Sequence, residues 1–314
     1  MANRLCITIL LILITFLISG CGSSEPGKTI RLDDPAQPAF HKLEGDRSVK
    51  LADTKPQSDA KPLNKEPDEK QPDGNKNTNL DASELSKLDN TRYAWWLTLN
   101  TKHQTPGIPA YASKLAAKHD AVWVGDTSRK VIYLTFDEGY ENGYTPVILD
   151  TLKKNNVKAL FFITGPYLNT EQKLVKRMLD EGHLVGNHTI NHPSLPDMTV
   201  GKLDYEMRGL EKQFNTIFGK GFKYMRPPKG EYSERTLEAA RELGYKTVFW
   251  SFAYADYDVN KQQGPDHAYN MVMGHLHNGA VLLLHAVSKD NAEALDRIIK
   301  GIRDQGYEIA PFDL

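Results

Sequence analysis

A chain of 314 residues, 40% hydrophobic and 25% charged, carries enough apolar side chains for one large domain or two modest ones. Its 39 basic residues against 40 acidic ones leave a formal charge of -1, which excludes a global attraction to nucleic acid or to an anionic membrane surface. Both cysteines, Cys6 and Cys21, lie near the N-terminus, so the remainder has no disulfide and no thiol chemistry.

At the start, Arg4 precedes the apolar run "LCITILLILITFLI", which is too short for a membrane span of about 20 residues and fits the core of a signal segment. "ISGC" (Ile18 to Cys21) resembles a bacterial lipoprotein cleavage box, which implies residues 1–20 as signal peptide and Cys21 as the lipid-bearing first residue of the mature chain. The expected location is the outer face of the cell membrane, held by that lipid. Residues 41–92 contain no Phe, Trp or Tyr and read as "DTKPQSDAKPLNKEPDEKQPDGNKN", too polar to offset the entropy of ordering, so residues 21–90 are expected to be a disordered tether.

Aromatics return at "YAWWLTLN" (Tyr93 to Asn100), which sets a domain boundary near residue 90 and one folded domain over 91–314. Apolar runs "VIYLTF", "ALFFIT", "HLVGNH", "YMR", "TVFWSF" and "AVLLLH" read as buried strands. Segments of helical period separate them, among them "TPVILDTLKKNN", "EQKLVKRMLDEG", "SERTLEAARELG" and "NAEALDRIIKGIRDQG". This alternation predicts an α/β fold with a largely parallel sheet, and periodicity alone leaves an open sheet and a barrel both standing.

In such folds reactive residues collect at the carboxyl ends of strands. Here those ends carry Asp137-Glu138, then His188 with His192 four residues on, Arg226 in "RPPKG", Asp256 after "FWSFAYA", and His285. Singly each is ordinary: a strand-end Asp is often a loop residue, a lone His is often a hydrogen-bonded core residue, and His-x-x-x-His recurs by chance. All of them at one end of successive strands point to a site. Neighbouring strand residues face opposite ways, so Asp137 and Glu138 cannot share one task. A bend at Gly139 would let one carboxylate face a metal and the other a water.

Together "GDTSRKVIYLTFDEGYENGYT", "VGNHTINHPSLP", "YMRPPKGEYSERTL", "FWSFAYADYDVNKQ" and "NGAVLLLHAVSKDNAEALD" resemble the NodB-type polysaccharide deacetylases of carbohydrate esterase family 4. Within that family the resemblance is to the branch that makes muramic delta-lactam, and it covers the chain from about Trp95 to Leu314. It implies a distorted (β/α)7-type barrel and metal-assisted amide hydrolysis. By resemblance Asp137 is the general base, His188 and His192 are metal ligands, Arg226 positions the base, Asp256 orients His285, and His285 is the general acid. Most members have Asp-Asp where this chain has Asp137-Glu138, so the third ligand, Glu138, is left open. The implied cofactor is a divalent ion, zinc first, with manganese, cobalt or magnesium as alternatives. The implied partner is the peptidoglycan glycan strand, with the N-acetyl group of muramic acid as target or, alternatively, that of glucosamine. No nucleic acid and no protein partner is indicated. Tyr93, Trp95, Trp96, Tyr140, Trp250 and Tyr257 are candidates for stacking on sugars, Trp250 and Tyr140 above all, against the plainer reading of core packing.

Two rivals stand beside this reading. One is a glycan-binding domain that lost its metal through the Glu138 change; the other is a glycosidase pairing Asp137 with Asp256 or Glu141, which would need carboxyls about 5–9 Å apart across the bond.

Overall fold

Strand and helix alternate in the computed structural model, which describes residues 80–314. A short helix α1 (Ala82–Leu85) leads to strand β1 (Tyr93–Ala94) and helix α2 (Ala110–Lys118). There follow β2 (Val131–Glu138), α3 (Thr145–Lys154), β3 (Leu160–Ile163), α4 (Gly165–Thr170), α5 (Gln172–Asp180), β4 (Leu184–Asn187) and α6 (Val200–Phe218). The last part runs β5 (Tyr224–Met225), β6 (Glu231–Tyr232), α7 (Glu234–Glu242), β7 (Lys246–Thr247), α8 (Pro265–Gly274), β8 (Ala280–His285), α9 (Lys289–Asp304) and β9 (Glu308–Ile309).

Local chemistry explains these elements. The β-branched and aromatic residues of β2 suit a pleated strand, and every one of its residues is buried, as expected for a strand covered on both faces. In α9 the Ser288 side chain caps the helix by accepting from the Asn291 amide, and Leu295, Ile298, Ile299 and Ile302 recur at helical spacing on the buried face. Helix α6 is capped by Thr199 and stops at Gly219, whose φ of 65° only glycine adopts freely.

The main sheet has the order β7-β5-β4-β3-β2-β8, with β9 beside the start of β2, and its pairings are parallel. The sheet curls. The run "TVFWSF" is regular only at Lys246–Thr247; beyond it Val248 bridges to Val122 and Phe252 to Leu282 of β8, so an irregular segment joins the two edges. This is a distorted barrel, and the open sheet is excluded.

The period of two sorts β2 between two apolar clusters. Val131 and Tyr133 pack inside with Leu160, Phe162, Tyr224, Val248, Val281 and Phe312. Ile132, Leu134 and Phe136 pack outward with Ile148, Leu149 and Leu152 of α3 and Leu295 of α9. A register slip of one residue would exchange the two sets, so burial on both faces fixes which side each residue takes. Thr135 and Asp137 continue the inner series, and Glu138 the outer one.

The folded body starts earlier than the boundary near residue 90. Leu85 of α1 is fully buried, Leu80 and Leu88 pack against the main core, Asn90 donates to the Pro196 carbonyl at 2.8 Å, and the Arg235 amide donates to Asp89 at 3.1 Å. These leucines supply the apolar contact that the absence of aromatics had masked. Strands β1 and β6 form a separate antiparallel pair, beside which Trp95 stacks on Phe249 at 4.2 Å. The signal peptide, Cys21 and nearly all of the tether expected from the sequence lie outside the described residues.

Candidate active site

Asp137 ends the inner series of β2, and its cross-strand partner on β8 is His285. Adjacent parallel strands lie about 4.8 Å apart, so the carboxylate and the imidazole stand side by side on one face. Arg226 arrives from the end of β5 and is fully buried. Its Nη1 donates to Asp137 Oδ1 at 2.7 Å, Nη2 to Thr135 Oγ1 at 2.8 Å, and Nε to the Val248 carbonyl at 3.2 Å. The guanidinium lies over Phe162 at 4.3 Å and near Trp250 at 5.8 Å. Burial acts to raise the Asp137 pKa, but Arg226 and the neighbouring histidines outweigh it, and the carboxyl titrates below the usual aspartate value. Arg226 thereby holds one oxygen and leaves the other free.

The free oxygen, Oδ2, is 3.5 Å from Nε2 of His188. Nδ1 of that ring faces the Arg226 carbonyl at 2.8 Å, and because a carbonyl only accepts, Nδ1 carries the proton. Burial pushes His188 below the usual histidine value against the pull of Asp137, so Nε2 presents a lone pair. The His192 ring lies at 4.8 Å from that of His188, and burial together with His188 and Lys229 pushes it down to about 3. Two neutral imidazoles fit as nitrogen donors to a divalent ion. Among the described residues no three His, Cys, Asp or Glu side chains converge to hold one, so these two residues make up the recognisable donor set.

Glu138 does not join them. It is fully buried on the outer side of β2, where Thr145 Oγ1 of α3 lies 3.3 Å from each of its oxygens. Burial, then the charge of Glu141, pushes its pKa well above the usual glutamate value, which favours the neutral acid. Strand β2 stays regular through Glu138, so the bend at Gly139 comes too late to turn it inward. The role of metal ligand considered for Glu138 is incompatible with that placement.

Asp256 follows the irregular segment and is 2% exposed. Its Oδ1 accepts from Nδ1 of His285 at 2.7 Å and its Oδ2 from the His285 amide at 2.9 Å. Burial acts to lower His285, but Asp256 outweighs it and the ring holds its proton above the usual histidine range. The His285 side chain is 25% exposed, so a proton on it is within reach of a bound molecule.

The aromatic candidates divide. Trp250 is 3% exposed, and a Cβ added at Gly230 would lie 2.7 Å from its ring. It is packing beneath Arg226, and the sugar-stacking role suggested for it does not hold. Tyr140, 46% exposed just past β2, is free to meet a ligand, and Tyr257 lies 5.7 Å from the His285 ring.

Several supporting residues escaped the sequence reading. Thr189 and His192 have φ of 68° and 56°, and Lys229 has 59°, so three of the six non-glycine residues in left-handed conformation among the described residues border the site. Asn187 pins the first of these loops by donating to the Met207 carbonyl and accepting from the Thr189 amide, both at 2.8 Å. Glu206 of α6 accepts from the Asn191 backbone and side chain, also at 2.8 Å each. Thr135 was detectable, two residues before Asp137 on the same face. Asn187 and Glu206 carry no local signal, since their partners are set by the packing of α6 against β4.

Residues 124–248 match the polysaccharide deacetylase family. Over 233 residues the chain is 42% identical to the peptidoglycan-N-acetylmuramic acid deacetylase PdaA of Bacillus subtilis, covering 74% of this chain and 89% of that one. The solved structure of that family 4 carbohydrate esterase superposes with a TM-score of 0.70 over 71% of this chain and 96% of its own. A family 4 carbohydrate esterase from Bacillus anthracis gives a TM-score of 0.60 at 41% identity, covering 71% of this chain and 95% of that one. A peptidoglycan-N-acetylglucosamine deacetylase of Bacillus cereus is 34% identical over 193 residues, 60% of this chain and 69% of the relative. With the barrel and most of the length of such relatives in common, the chain belongs to the polysaccharide deacetylases of carbohydrate esterase family 4.

Proposed function

We propose that the protein hydrolyses the N-acetyl amide of muramic acid in peptidoglycan, and that the freed amine then closes on the lactyl group to give the muramic delta-lactam. The observation that carries the reaction type is the pairing of Asp137 with His285 across β2 and β8, one group poised to take a proton and the other to give one. Amide hydrolysis needs both, because water is a weak nucleophile and an amide anion a poor leaving group.

Asp137, fixed through Oδ1 by Arg226, takes the proton of the attacking water at Oδ2. His285, charged and oriented by Asp256, donates to the departing nitrogen. Members of the family are metal-dependent; His188 and His192 would hold the ion, zinc being the proposed metal, and when bound it polarises the carbonyl and acidifies water. Against the glycosidase alternative, Asp256 is committed to His285, and Glu141 Oε1 is turned to the Gly143 and Thr145 amides at the entry to α3.

The choice of muramic acid rests on the relative that acts on that sugar and on a charge at the rim. Lys229 is exposed in the turn after Arg226 and forms no ion pair or side-chain hydrogen bond among the described residues. It offers a cation to the lactyl carboxylate, which glucosamine lacks. The enzyme would work outside the cell, held to the membrane through a lipid on Cys21. Mass spectrometry of muropeptides before and after treatment tests the proposal. Loss of acetyl and then of water at muramic residues supports it, and deacetylation confined to glucosamine overturns the choice of sugar.

A further inference from the structure

The acid side of the site has a second layer. The Nδ2 group of Asn291, near the start of α9, donates to Asp256 Oδ2 at 2.6 Å and to the His285 carbonyl at 3.2 Å. Its Oδ1 accepts from the Tyr254 hydroxyl at 2.5 Å. All three side chains are buried, and Ser288, the cap of α9, fixes Asn291 by accepting its amide at 3.2 Å.

We infer that Asn291, oriented by Tyr254, is a positioning residue that holds the Asp256 carboxylate on His285. The polarity of the chain admits one arrangement. A carboxylate only accepts, so the amide must turn its NH2 toward Asp256, which leaves its oxygen for Tyr254 to donate to. Tyr254 keeps its proton, because burial and the nearby Asp256 charge raise its pKa. Asp256 therefore receives three donors, two from His285 and one from Asn291, and cannot swing away from Nδ1 of the ring without breaking them. Asn291 also bridges side chain and backbone of the pair, so α9 fixes the separation of Asp256 from β8. Other groups whose charge bears on His285 are Asp137 on β2 and Arg226 after β5; the titratable rings of His188 and His192 face the same site, and Asp290 also bears on Tyr254.

The inference rests on His285 as the general acid, and the test keeps the two apart. Asn291→Ala, Asn291→Asp, Tyr254→Phe and His285→Ala are made in the full chain, and acetate release is followed against pH with zinc present. Asn291→Ala should lower kcat by about 10–100-fold with little change in KM. The alkaline limb of its profile, where His285 gives up its proton, should move to lower pH, since a loosened Asp256 supports the imidazolium less. Tyr254→Phe should shift that limb in the same direction and by less. Asn291→Asp, nearly isosteric, should be at least as damaging as alanine, because two carboxyls in contact share a proton; near-native activity would reduce Asn291 to packing. Adding Asn291→Ala to His285→Ala should cost little more than His285→Ala alone. Independent losses, or a limb that stays in place in both the Asn291→Ala and Tyr254→Phe variants, overturn the inference. A His285→Ala enzyme with native kcat would instead overturn the acid assignment beneath it.

Discussion

Replacing Arg226 by methionine removes the guanidinium that Asp137 contacts while keeping apolar volume between Phe162 and Trp250. The arginine is fully buried, Asp137 is 6% exposed, and the 2.7 Å bond between them has no solvent to replace it. Breaking one side of such a pair costs about 3–5 kcal/mol, roughly 10 °C in melting temperature for a domain of this size. The pH dependence should also change sign. In the native protein the folded pKa of Asp137 is depressed, so the pairing contributes stability in full above about pH 4 and loses it as pH falls through the folded value. Without Arg226, burial is the largest remaining influence and raises the folded value above the unfolded one, so acidification from pH 7 neutralises a buried charge and recovers stability. Scanning calorimetry at several pH values between about 7 and 2 reads both effects, and the acid limb of the kcat profile should move up in parallel. A melting loss below about 2 °C, or a variant that loses stability on acidification as steeply as the native protein, would refute the reasoning.

Further tests address the other residues. Glu138→Gln should leave zinc affinity, measured by titration calorimetry, within about threefold of the native value, because a buried acid turned to Thr145 on the outer face is replaced by an amide of the same shape; a loss of 10–100-fold would restore Glu138 as a ligand. His188→Ala and His192→Ala should each weaken zinc binding at least tenfold, and a chelator should abolish acetate release from the native enzyme until metal is returned. Lys229→Ala should reduce the preference for peptide-free muramic glycan over its methyl ester by up to about fivefold in kcat/KM, the worth of one exposed charge pair at most, and Lys229→Glu should reverse it; an unchanged ratio would show that the lysine does not read the lactyl group.

Much of the site was visible in the order of residues along the chain. Asp137, His188, Arg226 and His285 all stand where an apolar run stops, and the alternation of runs with helical segments says that such ends gather on one rim. The same local rule says that Asp137 and Glu138 face opposite ways, but not which of them faces inward. That depends on curling: only when the stretch after β7 bridges to β8 does one side of β2 become an interior lined by Tyr133 and Phe162 and the other a seat for α3 and α9. The sequence left both packing and sugar stacking standing for Trp250 and put Leu85 in a spacer for the same reason, since their burial is supplied by segments remote in the chain. Asn291 and Tyr254 are 37 residues apart and meet because β8 and α9 carry one of them back to the other. Periodicity is a property of neighbours and survives in a one-dimensional text; the hydrogen bonds that aim a proton donor join residues whose proximity is created by the packed core.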